Sequence, residues 1–266
     1  MEWRHNNPTF EVDKIQPALQ DSSWAGHRTF AYDLVSAIRP ESIVELGSFV
    51  GASLFAFAQA IKDARLSTSL IAVDTWLGDE HAGYYGEGVY QFVQQVSASA
   101  FAEQHIRLLR KTFLEARADV PDNSVTILHI DGLHTYEAVR EDFETWLSKV
   151  APEGIVLFHD VATEKEFGSV IYWRELSELY PSLSFNHSHG LGILFPKGDR
   201  DRAAIMGGDW PARNMVYALE HVAATNSRLA SKLSTQVQEQ AKTIANLEKL
   251  LRERDELLAK NGRKPG

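Results

Sequence analysis

A chain of 266 residues that is 44% hydrophobic can bury one substantial core and leave residues over for an appendage. It has no cysteine, which excludes disulfides, thiolate nucleophiles and cysteine metal sites, and leaves His, Asp and Glu as candidate metal ligands. The formal charge of −9 is uneven: residues 1–214 carry 18 Lys and Arg against 30 Asp and Glu, and residues 215–266 carry 9 against 6, so an acidic body speaks against nucleic acid as a partner. The opening "MEWRHNNPTFEV" lacks an apolar signal core, and no run reaches the roughly 18 apolar residues of a membrane span. A cytoplasmic protein without a transmembrane segment is expected.

In chain order, residues 1–40 are expected to form a helical cap. Its helix "GHRTFAYDLVSAI" puts Phe30, Leu34 and Ile38 on one face, with Trp24 and His27 packing it on the sheet. From residue 41 short β-branched runs alternate with helical ones, the pattern of a parallel sheet wrapped by helices. "SIVEL" is a first strand followed by the helix "GASLFAFAQAIKDA", and "SLIAVD", Ser69 to Asp74, is a second. "DTWLGDEHAGYYGEG" is too rich in glycine and aromatics for a helix and is expected to be a mobile lid bearing Trp76, His81, Tyr84 and Tyr85. "HIRLL", His105 to Leu109, and "VTILHI", Val125 to Ile130, are the third and fourth strands. The helix "YEAVREDFETWLSKV" comes next, burying Val139, Phe143, Trp146 and Val150, and "GIVLFHD" is the fifth strand. After the helix "SVIYWRELSELY", the strands "LSFNH" and "LGILF", joined by "SHG", suggest an antiparallel pair closing one edge. Turn chemistry alone accounts for His187 and His189 in that connection.

The domain is expected to span 41–200, with a linker over 201–214, a long helix over 215–260 and a disordered tail over 261–266. Between Met215 and Lys260 there is neither Gly nor Pro, and apolar residues from Leu219 to Leu258 recur mostly at 3-4 spacing with one stutter at Leu229, Leu233 and Val237. A coiled coil is the expected outcome, with Asn226, Gln240 and Arg254 on its seam; a single helix folded back on the domain is the alternative.

Two regions carry chemistry. "VELGSFVGAS" places Glu45, Gly47 and Gly51 where the first strand turns into its helix, so the backbone can approach a ligand closely and free amides open the helix. Asp74 ends the second strand, where an acid can accept hydrogen bonds from both ribose hydroxyls or else cap the next segment. In "LHIDGLHTYE" and "VLFHD", Asp131, His134, His159 and Asp160 follow the carboxyl ends of neighbouring strands, which is where ligands bind in a doubly wound sheet.

"VELGSFVGAS", the strand ends "VD" and "ID", and the C-terminal antiparallel pair resemble the class I S-adenosylmethionine-dependent methyltransferases over roughly Trp24 to Pro196. The run "DGLHTYEAVREDFETWLSKVAPEGIVLFHD" is similar to a subgroup of O-methyltransferases associated with sugars and surface polysaccharides, several of them metal-dependent. The resemblance implies an α/β, doubly wound Rossmann-like sheet of strand order 3-2-1-4-5-7-6 with the last strand antiparallel. It implies that Gly47, Ser48 and Gly51 line the methionine part of the cofactor and that Asp74 binds its ribose. Glu45, Ser53, Thr75 and Asp131 complete the expected cofactor set. Asp131 and Asp160, with His159, are the expected ligands of Mg²⁺ or another divalent cation; alternatively a metal-free site uses His134 or His159 as base, with Asp131, His134 and His159 as the catalytic set.

The function expected is methyl transfer to a hydroxyl of a sugar or glycan, with the coiled coil joining copies of the chain or recruiting a glycosyltransferase. One alternative is a catalytically idle cofactor-binding scaffold that recruits glycosyltransferases through that helix. Another, a nicotinamide-dependent oxidoreductase, is weakened by the glycine spacing.

Overall fold

The structure, a computed structural model, describes residues 3–79, 83–164 and 167–261. His81 and residues 262–266 of the expected tail therefore lie outside the described residues. The chain divides into two compact units, Met1–Leu219 and Glu220–Gly266.

The first unit is built on a seven-stranded sheet. Its strands are β1 Ser42–Leu46, β2 Ser69–Asp74, β3 Arg107–Arg110, β4 Val125–Ile130, β5 Val150–His159, β6 Ser182–Phe185 and β7 Leu191–Leu194. They lie in the order β3-β2-β1-β4-β5-β7-β6. The first five are parallel, and β7 runs antiparallel to both of its neighbours. An additional two-residue ladder, Gly78–Asp79 against Gly83–Tyr84, lies outside this sheet and was not expected.

A parallel sheet must be covered on both faces, and the strand residues divide accordingly. Ile43, Ala72, Ile127 and Leu157 join one buried cluster with the helices α1 Arg28–Ile38 and α2 Ala52–Asp63. Val44, Val73, Leu128 and Val156 join a second cluster with α4 Tyr136–Trp146 and α5 Gly168–Leu179; α3 Glu87–Ala100 contributes Val93 and Val96 to the first. Because side chains alternate along a strand, Glu45, His129 and His159 share the first face, at the carboxyl-end half of the sheet.

Several expected boundaries move. The third strand starts at Arg107 rather than His105, whose backbone is left-handed. Val150 opens β5 instead of ending α4, because the helix tightens into a 3₁₀ turn at Leu147–Lys149. Trp76 is fully buried and donates its indole N–H to the Phe49 carbonyl at 3.0 Å, so it anchors its loop instead of serving as a lid residue. Residues 201–214 are not a linker. Helix α6, Arg202–Met206, buries Ile205, and left-handed Gly207 ends it. Asp209 then accepts the Ala212 N–H at 3.1 Å and so caps α7, Trp210–Asn261. The glycines and proline within the expected linker are thus helix stop and start signals. The first turns of α7 belong to the core: Tyr217 donates to the buried Asp33 carboxylate at 2.6 Å. No helix among the described residues is long and apolar enough to cross a membrane.

Gly47 closes β1 with a positive φ of 88°, and a Cβ there would run into the Asp131 carbonyl oxygen. Gly83 has a similar φ of 81° but open space around it. Gly47→Ala is therefore expected to destabilise the fold by at least about 2 kcal/mol and Gly83→Ala by only about 1 kcal/mol, both read by denaturant unfolding.

Candidate active site

A cavity of about 800 Å³ opens at the carboxyl ends of β1, β2 and β4. Gly47, Ser48, Asp74 and Thr75 line one side; Asp131, His134, Asp160 and His189 line another; Phe113, Phe167 and Trp24 supply aromatic walls.

On the first side the loop after β1 is held by Asp74. One carboxylate oxygen accepts the N–H groups of Ser48 and Phe49, both at 2.9 Å, and the other accepts Trp76 N–H at 2.7 Å. Three of its four acceptor positions are thus engaged by backbone, which favours the capping reading and leaves room for one ribose hydroxyl rather than two. Phe49, left-handed at φ 44°, packs its ring at a tilt against Tyr85, 4.9 Å between centroids. Gly51, also left-handed, starts α2. Glu45 is fully buried and does not line the cavity; it accepts the Ser53 hydroxyl at 3.0 Å, and burial pushes its carboxyl up. Ser53 does reach the cavity wall. Glu45 is therefore a support beneath the pocket, not a cofactor contact.

On the other side four groups converge. His134 Nε2 lies 2.8 Å from an Asp160 carboxylate oxygen and 3.7 Å from Asp131, with its ring stacked on Phe167 at 5.0 Å. His159 Nδ1 lies 3.2 Å from Asp160 and 3.4 Å from Asp131, and its Nε2 lies 3.1 Å from the Ser188 carbonyl. A carbonyl only accepts, so Nε2 carries a proton; two carboxylates face Nδ1, so it carries one as well, and the ring is an imidazolium. Burial would lower the His159 pKa, but the Asp131 charge and the bonds to both carboxylates raise it to about 10. The same contest, decided by bonds to Asp131 and Asp160, takes His134 to about 9. Burial pushes both carboxyls up in turn, yet His159 and His134 hold Asp131 and Asp160 well below the usual carboxylate range. Asp160 itself is left-handed at φ 57°, a strained turn at the end of β5.

This arrangement revises the expected roles. His159 has both nitrogens engaged, so it is neither a metal ligand nor a neutral base. Among the described residues, Asp131, His134 and Asp160 are the three whose ligand atoms lie within 4.8 Å of one another, so His134 takes the place expected for His159. His189, assigned to turn chemistry, places Nδ1 3.1 Å from Asp160. Trp24 packs as expected, but it also lines the cavity and donates its indole N–H to His129 Nε2 at 3.1 Å. His129 had one sequence signal, its position two residues before Asp131 on the same strand face; the Ser188 carbonyl, a backbone group, had none.

The raised imidazole pKa values imply a pH dependence of stability. Protonation of His159 contributes fully below its unfolded value of 6.5, and the contribution is lost as pH rises through about 10. With EDTA present, the stability difference between wild type and His159→Gln is expected to be largest near pH 6 and to shrink steadily from there towards pH 10, and also to shrink in acid as Asp131 and Asp160 protonate. Chemical denaturation across that range checks this; a gap that widens with pH above about 6 would refute the imidazolium.

Comparison with known proteins agrees with the geometry. Residues 44–161 match the family described as methyltransferase domain. Over 190 residues the chain is 49% identical to the uncharacterized protein y4gI of Sinorhizobium fredii (strain NBRC 101917 / NGR234), covering 69% of this chain and 20% of that protein. The chain thus spans about a fifth of that relative's length. Among solved structures, a putative caffeoyl-CoA O-methyltransferase from Staphylococcus aureus is similar with a TM-score of 0.53 at 17% identity, over 73% of this chain and 94% of its own. The calicheamicin methyltransferase CalS11 is similar with a TM-score of 0.51 at 17% identity, over 64% and 77%. These likenesses carry the fold, and residues 44–161 are similar to the methyltransferase domain family.

Proposed function

We propose that this chain transfers the methyl group of S-adenosylmethionine to a hydroxyl oxygen of a sugar or glycan. The observation that carries the reading is the ionised Asp131–Asp160 pair, held between two imidazolium rings on the wall of the cavity that also contains the Gly47–Ser48 loop.

In this reading the cofactor's methionine end lies against the Gly47–Ser48 loop, and the acceptor hydroxyl donates to Asp131. The oxygen attacks the methyl carbon, the carbon–sulfur bond breaks, and S-adenosylhomocysteine leaves. The oxonium formed as the new bond closes is far more acidic than a carboxylic acid, so a carboxylate kept ionised suffices to take the proton. A strong base is unnecessary, which suits a site whose imidazoles are already protonated.

Asp131, His134 and Asp160 also fit a divalent cation by donor type and spacing, provided that His134 gives up its proton to the solvent when the ion binds. Such an ion, when bound, would supply a lowered pKa and a fixed orientation for the hydroxyl. The two oxygen donors suit magnesium better than the imidazole does.

A sugar acceptor is favoured by the resemblance of the Asp131–Asp160 run and by a wall that mixes the aromatic faces of Trp24, Phe113 and Phe167 with Ser22 and Ser23. A polyhydroxylated ring presents both apolar faces and polar edges.

Calorimetric titration with S-adenosylhomocysteine is expected to give one site per chain. Asp131→Asn keeps the side-chain shape beside the His159 charge, and it should lower turnover by roughly 10²–10⁴-fold while leaving that affinity within a few-fold. Loss of cofactor binding in this variant would remove Asp131 from the proposed role. Transfer of labelled methyl to a small phenol, with none to methyl glycosides or oligosaccharides, would overturn the acceptor class.

A further inference from the structure

The second unit, Glu220–Gly266, is helical to Asn261, and its apolar side chains are not buried. Val222, Leu229, Leu233 and Val237 in its first half are each at least half exposed, as are Ile244, Leu247 and Leu258 in its second, with Leu251 at 49%. An isolated helix gains little stability from propensity alone, so such a seam is normally covered.

The positions of the seam residues indicate what covers it. Gln240 is a centre about which the seam repeats in reverse. Val222 and Leu258 both lie 18 residues from it, Asn226 and Arg254 lie 14, Leu229 and Leu251 lie 11, and Leu233 and Leu247 lie 7. Val237 and Ile244, at 3 and 4, differ by one residue, next to the stutter. Laid antiparallel on an identical copy, Val222, Leu229, Leu233, Leu247, Leu251 and Leu258 therefore each meet an apolar residue and Asn226 meets Arg254, while Val237 and Ile244 are offset by one residue and Leu219, outside the segment, faces Asn261.

In the heptad frame each of the four outer pairs joins an a position to a d position. A parallel pairing would instead stack Arg254 on Arg254 within the seam, placing two like charges together. In the antiparallel pairing, Arg254, whose guanidinium already meets Asp255 at 2.7 Å within its own helix, has its remaining donors beside the amide oxygen of Asn226. Leu250 and Leu257, each one residue before a seam leucine, widen the apolar strip.

We propose that the segment Val222–Leu258 pairs antiparallel with the same segment of a second copy of this chain, about a twofold axis through Gln240. The contact is isologous, with the same surface used by both partners, so it closes at two chains.

The chain has no cysteine, so introduced thiols report the geometry without interference. Light scattering on the 266-residue chain is expected to give the mass of two chains. Asn226→Cys and Arg254→Cys variants, oxidised separately, should remain unlinked, whereas a mixture allowed to exchange subunits should give a disulfide-linked pair. Each single variant linking to itself would mean a parallel pair and overturn the proposal. A monomer, a mass above two chains, or a dimer in which neither the mixture nor the single variants link would overturn it as well. A monomer would assign the seam to a different protein, such as a glycosyltransferase, a higher mass to a larger bundle, and an unlinked dimer would place the dimer contact elsewhere.

Discussion

The site depends on one buried contact, the imidazolium of His159 between Asp131, Asp160 and the Ser188 carbonyl. Two carboxylates brought together at neighbouring strand ends would repel each other and resist losing water, and one of them would take up a proton. A fixed cation between them reverses this, and the backbone carbonyl ensures that the ring stays doubly protonated. The topology supplies that carbonyl. Because β7 runs antiparallel beside β5, with Leu191 paired to His159, the turn that enters β7 lies over the carboxyl end of β5. A parallel last strand would begin at the opposite edge of the sheet and leave His159 without its acceptor.

The arrangement also accounts for the strain around it. Asp160, Ser188 and His189 are all left-handed without being glycine, at φ 57°, 48° and 65°. Such backbone costs of order 1–3 kcal/mol per residue and persists only where surrounding structure over-determines it. Here three imidazoles meet the Asp160 carboxylate, and its main-chain carbonyl accepts the Ser169 hydroxyl at 2.8 Å. Strain and charge pairing concentrate at the same residue, as expected of a site in which function opposes stability.

Most of the sheet was legible because its signals are local. Short β-branched runs between helical ones mark the strands, and the positions of Gly47, Asp74, Asp131 and Asp160 mark their ends directly. What could not be read depended on groups without a sequence signature. The exchange of roles between His134 and His159 follows from a backbone carbonyl 29 residues away from His159. The burial of Trp76 and the three amides held by Asp74 follow from the path of a loop, not from residue type. The supposed linker failed for a different reason: Gly207, Gly208 and Pro211 punctuate two helices as readily as they punctuate a flexible segment, and only the burial of Ile205 and Tyr217 distinguishes the two.

The face beneath the cavity has a further consequence for specificity. Ser53, Glu45, His129 and Trp24 form a buried polar series, with Glu45 and His129 opposite each other on β1 and β4 and 3.8 Å apart at their nearest nitrogen and oxygen. Burying such groups is costly, and an apolar pair at these positions would pack a sheet equally well. What the series secures is the indole of Trp24, which belongs to the N-terminal segment outside residues 44–161. That ring lies 6.2 Å from His159 by ring centres and forms one wall of the cavity. The wall facing the proposed acceptor is thus made by a segment that residues 44–161 hold through His129 but do not themselves contain. The acceptor side can then change by substitution in residues 22–27 while the Asp74-held loop and the Asp131–Asp160 pair stay as they are.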